Sequence, residues 1–195
     1  MIEPKPYIIT IVGPESSGKT TLARQLAMQF GCPWVPEYAR EYLEKQGGYY
    51  NETDLEQIAI GQLDAIRKVM RNLESSIGIP VTSVDSLESS VGRLRKRLEE
   101  NIVLAFQRED FGVEPRPLLL VDSGMLTMRM WARIKYGSTI PIVEEALKYD
   151  VTSMYLLCRP VLPWESDPLR EAPVLLDRAW IYNQYLKEVF TLQVK

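Results

Sequence analysis

The segment 13–20, with the sequence GPESSGKT, constrains the fold of this chain more than any other feature. It fits the pattern GxxxxGK(S/T), in which backbone N–H groups and a helix N-terminus surround a phosphate group. The apolar, β-branched run Tyr7–Val12 precedes it and predicts a buried parallel strand. After it, apolar residues recur every four positions at Leu22, Leu26 and Phe30, which predicts a helix. A glycine turn that matched the pattern by chance would lack these flanks, so we expect a phosphate-binding loop.

The loop also predicts how a nucleotide and its metal ion are held. Lys19 is expected to reach the β- and γ-phosphates, and the Thr20 hydroxyl is expected to bind Mg²⁺. A second Mg²⁺ ligand is expected at Asp122, because the apolar strand Leu118–Asp122 ends in this acid, as the Walker B pattern requires. The expected nucleotide-binding residues of the loop and the helix start are Gly13, Glu15, Ser16, Ser17, Gly18, Lys19, Thr20 and Thr21.

Composition excludes several classes of function. The 195 residues carry a net charge of −3 and their basic residues form no single cluster, so no nucleic-acid partner is expected. No membrane span and no signal peptide are found, and the two cysteines form no paired framework, which predicts a cytoplasmic protein. The chain has no histidine, so any acid–base chemistry must use carboxylates.

Alternating strands and helices predict an α/β fold. Strands are expected at Tyr7–Val12, 33–36, Leu118–Asp122 and Met154–Cys158. Helical patterns lie between them, which is typical of a three-layer doubly wound parallel sheet of the P-loop NTPase type, similar to nucleoside and nucleotide kinases. We expect a single domain over 1–195. The guanine motif NKxD and the switch motif DxxG are both missing, so a small kinase fits better than a GTPase.

Three segments extend this pattern. Residues 75–116 predict an extra helical insertion, with an amphipathic helix over 85–106 that either packs on the body, forms a homodimer or covers the substrate. The proline-rich stretch at 160–178 is expected to act as a lid, with the last helix running from Val174 to Phe190. Residues 191–195 predict the start of a fifth strand, with the chain ending before a loop and helix that would hold adenine. Upstream, Thr53 and Glu56 predict a capping box at the start of a long helix.

Two strings carry a resemblance to a known family. Residues 13–20 and the string PEYAREYL at 36–43 resemble the ribosylnicotinamide kinase domain of NadR-type proteins. Further landmarks follow in that family's order, namely DLEQIA at 54–59, KYG at 135–137, YD at 149–150, PW at 163–164 and DPLR at 167–170. The resemblance implies a role in NAD biosynthesis, in which ATP phosphorylates the 5′-hydroxyl of nicotinamide riboside to give nicotinamide mononucleotide.

The resemblance also implies roles for single residues in the acceptor site. Glu37 would bind the ribose or accept the hydroxyl proton, or it would only be an acid at a helix N-terminus. Arg40 would contact phosphate, or pair with Glu37 or Glu44. Tyr38 and Trp164 would stack on the cationic nicotinamide ring, or they would pack in the core.

The lid is expected to supply cations. Arg170 and Arg178 would close over ATP and neutralise the transferring phosphoryl group, or they would be ordinary surface charges. With the residues above, the resemblance implies a catalytic set of Lys19, Glu37, Asp122 and Arg170.

The chain departs from the family after the Walker B acid. The family commonly has a second acid there, as in DTD, whereas this chain has Asp122, Ser123 and Gly124. Two alternatives to a nicotinamide riboside kinase therefore stay open. One is an ATP-binding regulatory module with little transfer activity, and the other is a kinase for a different nucleoside.

Overall fold

A computed structural model describes residues 6–75, 102–107, 117–169 and 177–193 as a five-stranded sheet with helices on both faces. The strands are β1 Tyr7–Val12, β2 Trp34–Val35, β3 Ile102–Gln107, β4 Leu118–Asp122 and β5 Met154–Cys158. The helices are α1 Lys19–Phe30, α2 Tyr38–Lys45, α3 Glu52–Ser75, α4 Met125–Trp131 with a π-helical continuation Ala132–Tyr136, α5 Pro141–Lys148 and α6 Arg178–Gln193. The three-layer doubly wound architecture predicted from the sequence is confirmed. None of the described helices is both long and apolar enough to cross a membrane.

The central strands are apolar throughout because both of their faces are covered. On one face, Ile9 and Leu120 pack with Leu26 of α1. On the other face, Leu119 packs with Leu73 of α3. Successive strand residues point to opposite faces, so a strand covered by helices on both sides needs an unbroken apolar run.

The order of the strands brings two predicted functional segments together. The sheet runs β2-β4-β1-β5-β3, and β1 pairs in parallel with both β4 and β5. In the register between β1 and β4, Ile11 lies opposite Asp122. The loop that follows β1 and the acid that ends β4 therefore emerge side by side at the carboxyl edge of the sheet.

The segment 102–107 corrects the sequence-based prediction. The expected helix over 85–106 included Ile102 and Ala105, but these residues belong to β3, which pairs antiparallel with β5. The five successive residues Ile-Val-Leu-Ala-Phe at 102–106 also satisfy a strand pattern, and pairing with the edge of β5 decides between the two. The remainder of the predicted helix, and with it the predicted dimer contact, lies outside the described residues.

Two helix ends also differ from the prediction. The long helix α3 is capped by Asn51, whose side chain accepts hydrogen bonds from the backbone N–H groups of Thr53 and Asp54, while Asp54 accepts one from the N–H of Asn51. The capping box is thus real, but it starts two residues before the predicted one. At the other end of the chain, 191–193 continues α6 instead of starting a strand, because Leu192 extends the buried stripe of this helix.

Candidate functional site

The phosphate loop joins β1 to α1 in a conformation that depends on glycine. Gly13 has φ +143°, and a Cβ atom there would lie 2.7 Å from the carbonyl oxygen of Cys158. The Lys19 ammonium donates to the carbonyl oxygen of Pro14 at 2.9 Å, and the Ser17 hydroxyl donates to the same oxygen at 2.7 Å. No carboxylate of the described residues lies within ion-pair distance of Lys19. The loop therefore holds a cation that is available to an anionic ligand.

Asp122 is fully buried beside this loop. Neither of its carboxylate oxygens accepts a hydrogen bond within the described part of the chain. Burial, reinforced by the charge of Glu37, raises the pKa of Asp122 from 3.8 to about 6, while the Thr20 side chain, Lys19 and Arg40 act in the opposite direction. A buried carboxylate without donors is destabilising unless a cation compensates it. Together with the Thr20 hydroxyl, it offers the hard oxygen ligands that Mg²⁺ prefers.

Glu37 lies where β2 leads into α2, and it lines the same cleft as the phosphate loop. It occupies the N-cap position of α2, yet its side chain caps no backbone N–H group. No hydrogen bond from the described residues holds its carboxylate. Glu37 thus lies at a helix N-terminus, as one interpretation expected. Its carboxylate does not cap the helix, so it can bind a ligand in the cleft.

Arg40 has a partner that the sequence did not predict. Its guanidinium donates to the carboxylate of Asp167 at 2.6 Å, and Glu44 lies farther away at 4.0 Å. The hydrogen bond with Asp167 is the main reason that the pKa of Arg40 is raised. This ion pair joins the start of α2 to the predicted lid.

Arg178 connects the predicted lid to the phosphate loop. Its guanidinium donates to the carbonyl oxygens of Ser16 at 3.3 Å and Leu162 at 3.0 Å, and it lies 5.9 Å from the ring centroid of Trp164. The N–H of Glu165 adds a 3.3 Å hydrogen bond to the Ser16 hydroxyl. The segment after β5 is therefore attached to both walls of the cleft.

The remaining predicted residues are placed differently. Tyr38 packs its ring against Gly61 of α3, and Trp164 lies under Arg178. In the described part of the chain, neither residue is among those that line the cleft. Arg170 lies outside the described residues.

The mostly apolar part of the cleft lining was not predicted. One of its residues is Tyr50. The Lys135 ammonium lies 3.6 Å from the ring centroid of Tyr50, and the Tyr136 hydroxyl donates to the Tyr50 carbonyl oxygen, so both contacts hold Tyr50 in place. Helical spacing of apolar residues indicates packing, and nothing in that pattern distinguishes a residue in the core from one that lines a cleft. The cleft lining beyond the phosphate loop, Glu37 and Arg40 comprises Ala39, Leu43, Tyr50, Leu55, Ile58, Thr127, Met128, Trp131, Leu162, Pro163, Glu165 and Leu169.

Comparison with known proteins agrees with this fold. The fold matches the crystal structure of a NadR protein in complex with NR, with a TM-score of 0.64 and 17% identity over 98% of this chain. It also matches the crystal structure of a NadR protein in complex with NAD and AMP-PNP, with a TM-score of 0.61 and 16% identity over 97% of this chain. The chain spans 43% and 42% of the length of those two proteins. No curated protein sequence matches significantly.

A family model described as an AAA domain matches residues 8–195, which is almost the whole chain. The matched range includes the phosphate loop and Glu37, which line one cleft, and Asp122, which ends β4. Sequence and architecture thus agree, and the chain belongs to the AAA domain family.

Proposed function

We propose that this protein is an ATP-dependent kinase for a small molecule, and that it phosphorylates the 5′-hydroxyl of nicotinamide riboside to give nicotinamide mononucleotide. One observation carries the proposal. A single cleft is lined by the phosphate loop, by Glu37 and by a group of mostly apolar side chains. A kinase needs this arrangement, because the phosphoryl donor and the acceptor hydroxyl must meet in one place.

The donor end suits a nucleoside triphosphate. The backbone of the loop and the N-terminus of α1 favour a phosphate group, and the Lys19 ammonium supplies positive charge beside it. Thr20 and Asp122 would hold Mg²⁺, which neutralises charge on the phosphates when it is bound. Fixed positive charge of this kind stabilises the transition state more than the ground state, and it is the main source of rate in phosphoryl transfer.

The acceptor end suits a nucleoside. Glu37 can accept a hydrogen bond from the hydroxyl that attacks the phosphoryl group, and it can take the proton that this hydroxyl releases. In the same cleft, Leu55, Met128 and Trp131 offer an apolar surface of the kind that surrounds a flat ring. The NadR structure in complex with NR supports this choice of acceptor, since it has the same fold.

The lid segment completes the proposed site. The Arg40–Asp167 and Arg178–Ser16 contacts keep this segment over the cleft, and Leu169 is part of the lining. Arg170 follows Leu169 directly, and we propose it as the lid cation that reaches the transferring phosphoryl group. The finer roles proposed for Tyr38 and Trp164 as ring-stacking residues find no support in the cleft lining.

A regulatory ATP-binding module is the second candidate. The observation that favours it is Gly124, which has no side chain at the position where the DTD pattern of the family has its second acid. With one carboxylate fewer, the metal site has less negative charge to hold Mg²⁺. Such a module would bind ATP and transfer little.

The experiment that tests the proposal compares two glutamates of the same region. ADP formation from Mg-ATP is measured with and without nicotinamide riboside for the wild-type protein, Glu37→Gln and Glu41→Gln. Glu41 is an exposed residue of α2 that pairs with Lys45, so its variant is the matched control. We expect acceptor-stimulated turnover in the wild-type protein and the control, and at least a hundredfold lower kcat with unchanged ATP affinity in Glu37→Gln. Equal loss of ATP binding would make Glu37 a structural residue, and no stimulation in the wild-type protein would favour the regulatory module.

A further inference from the structure

Gln62 is a buried polar residue of α3 whose side chain is bonded on both sides of Glu37. It is 1% exposed. Its Oε1 accepts a 2.7 Å hydrogen bond from the N–H of Tyr38, and its Nε2 donates a 3.3 Å hydrogen bond to the carbonyl oxygen of Pro36. One amide group therefore holds the peptide groups immediately before and after Glu37.

This contact satisfies one of the unpaired N–H groups at the start of α2. The first N–H groups of a helix have no partner within the helix, and the side chain at the N-cap position usually satisfies one of them. In α2 the N-cap residue is Glu37, and it makes no such bond. Gln62 instead accepts from Tyr38, the first residue of this helix. The Glu37 side chain makes no cap bond of its own, and it lines the cleft.

Gly61, the residue before Gln62, also helps to hold the start of α2 against α3. Gly61 has no side chain, and a Cβ atom there would lie 2.1 Å from Cε1 of the Tyr38 ring. The ring therefore lies directly on the backbone of α3. On the other side of Glu37, β2 pairs with β4 so that Val35 lies opposite Val121. The backbone around Glu37 is thus fixed from α3 and from the strand that carries Asp122.

We propose that Gln62 is a positioning residue, which holds Glu37 with its carboxylate directed to the acceptor hydroxyl. This inference rests on the proposed function of Glu37. Gln62 itself does not line the cleft, and it acts only through the peptide groups of Pro36 and Tyr38. Its loss should lower the rate of transfer without changing the binding of ATP.

A double-mutant cycle separates positioning from general support of the fold. Gln62→Met keeps the length of the side chain and removes both hydrogen bonds. We expect it to lower the kcat of acceptor-stimulated ADP formation by about tenfold to a hundredfold, since small errors in the position of a reacting group have effects of this size. In a Glu37→Gln background, Gln62→Met should lower the kcat by less than about twofold, because the carboxylate that Gln62 positions is already absent. Gln57→Met, at an exposed position of α3, is the control and should keep the wild-type rate.

The outcomes are distinct. A loss from Gln62→Met that is equally large in both backgrounds would overturn the inference, since Gln62 would then act on the fold and not through Glu37. Thermal unfolding and ATP binding are measured for each variant, and if Gln62→Met is unfolded, Gln62→Asn serves in its place because its shorter side chain cannot reach both peptide groups. A wild-type protein that binds ATP but transfers to no acceptor would overturn the proposed function and this inference together. If the wild-type protein transfers the phosphoryl group but Gln62→Met and Glu37→Gln act independently on kcat, this inference alone would be overturned.

Discussion

Replacing Asp122 with Asn should make the ligand-free protein more stable while it removes activity. Both oxygens of this carboxylate are buried without a hydrogen-bond donor in the described part of the chain. The pKa of Asp122 is raised from 3.8 to about 6, mainly by burial and then by Glu37, so folding favours the protonated acid. Stability that is present below about pH 4 is therefore lost as the pH rises through about 6. Since one pKa unit corresponds to about 1.4 kcal/mol, the ionised carboxylate costs about 3 kcal/mol at pH 7.5.

Urea unfolding at several pH values measures this cost. Asn is similar in size and polarity to a protonated Asp, so Asp122→Asn should unfold with a free energy about 3 kcal/mol higher than the wild-type protein at pH 7.5. The difference should shrink as the pH falls towards about 4, where the wild-type carboxyl group is neutral. Asp64→Asn is the control, because Asp64 is exposed and pairs only weakly with Arg67, and it should change the free energy by less than about 0.5 kcal/mol.

Activity should change in the opposite direction. The same variant should lose acceptor-stimulated ADP formation, and Mg-ATP should raise its stability less than it raises that of the wild-type protein. A gain in stability together with a loss of activity is the expected behaviour of a group that is kept for function. An Asp122→Asn variant that is no more stable than the wild-type protein at pH 7.5 would show that the ionised Asp122 carries no net cost of burial.

Three further predictions concern the loop, the ion pairs and the lid. Lys19→Ala should abolish ADP formation because it removes the cation beside the phosphates, and it should leave the urea midpoint nearly unchanged because, among the described residues, the amine bonds only the Pro14 carbonyl. A full-rate variant would refute the phosphate-loop assignment. Arg129→Ala should lower the free energy of unfolding by about 3 kcal/mol, because this buried guanidinium binds both oxygens of Glu144 and one of Glu188. Arg133 is half-exposed, so Arg133→Ala should lower the free energy of unfolding by less than about 1 kcal/mol. Equal losses measured by urea unfolding would contradict this difference. Arg178→Ala should raise the KM for ATP about tenfold by detaching the lid from Ser16 and Leu162; an unchanged KM for ATP would show that this attachment is not needed.

The parts of the fold that could be predicted are those with a local cause. The strand Tyr7–Val12 and the strand that ends in Asp122 are short apolar runs buried on both faces, and nothing outside them is needed to recognise them. The phosphate loop is equally local in its backbone, because Gly13 and Gly18 adopt positive φ angles that other residues rarely adopt.

The parts that could not be predicted depend on distant partners. Residues 102–107 fit a helical and a strand pattern equally, and only the free edge of β5 decides between them. The pair Arg40–Asp167 joins residues 127 positions apart, so sequence spacing offered only the nearer glutamates as partners. The overlapping cap patterns at Asn51 and Thr53 differ by two residues, and the backbone path into α3 selects the first.

The residues of the candidate site also divide into those that could be predicted from local sequence and those that depend on distant partners. The placement of Glu37 and Asp122 could be predicted because Asp122 ends one strand and Glu37 follows another, and the carboxyl ends of parallel strands meet at one edge. Gln62 could not, because a single polar residue in a long amphipathic helix is ordinarily exposed, and its burial arises from the way α2 packs on α3. Tyr38 and Trp164 are aromatic residues beside predicted site residues, and packing against Gly61 and Arg178 accounts for both.

The most direct test of the central claim is the release of ADP from Mg-ATP by the purified wild-type protein, with and without nicotinamide riboside and against a panel of other nucleosides. The account predicts that nicotinamide riboside alone stimulates ADP release, and that nicotinamide mononucleotide forms in equal amount. Stimulation by a different nucleoside would keep the kinase and replace the acceptor. ATP binding without stimulation by any acceptor would contradict the claim that the cleft joins a phosphoryl donor to an acceptor hydroxyl.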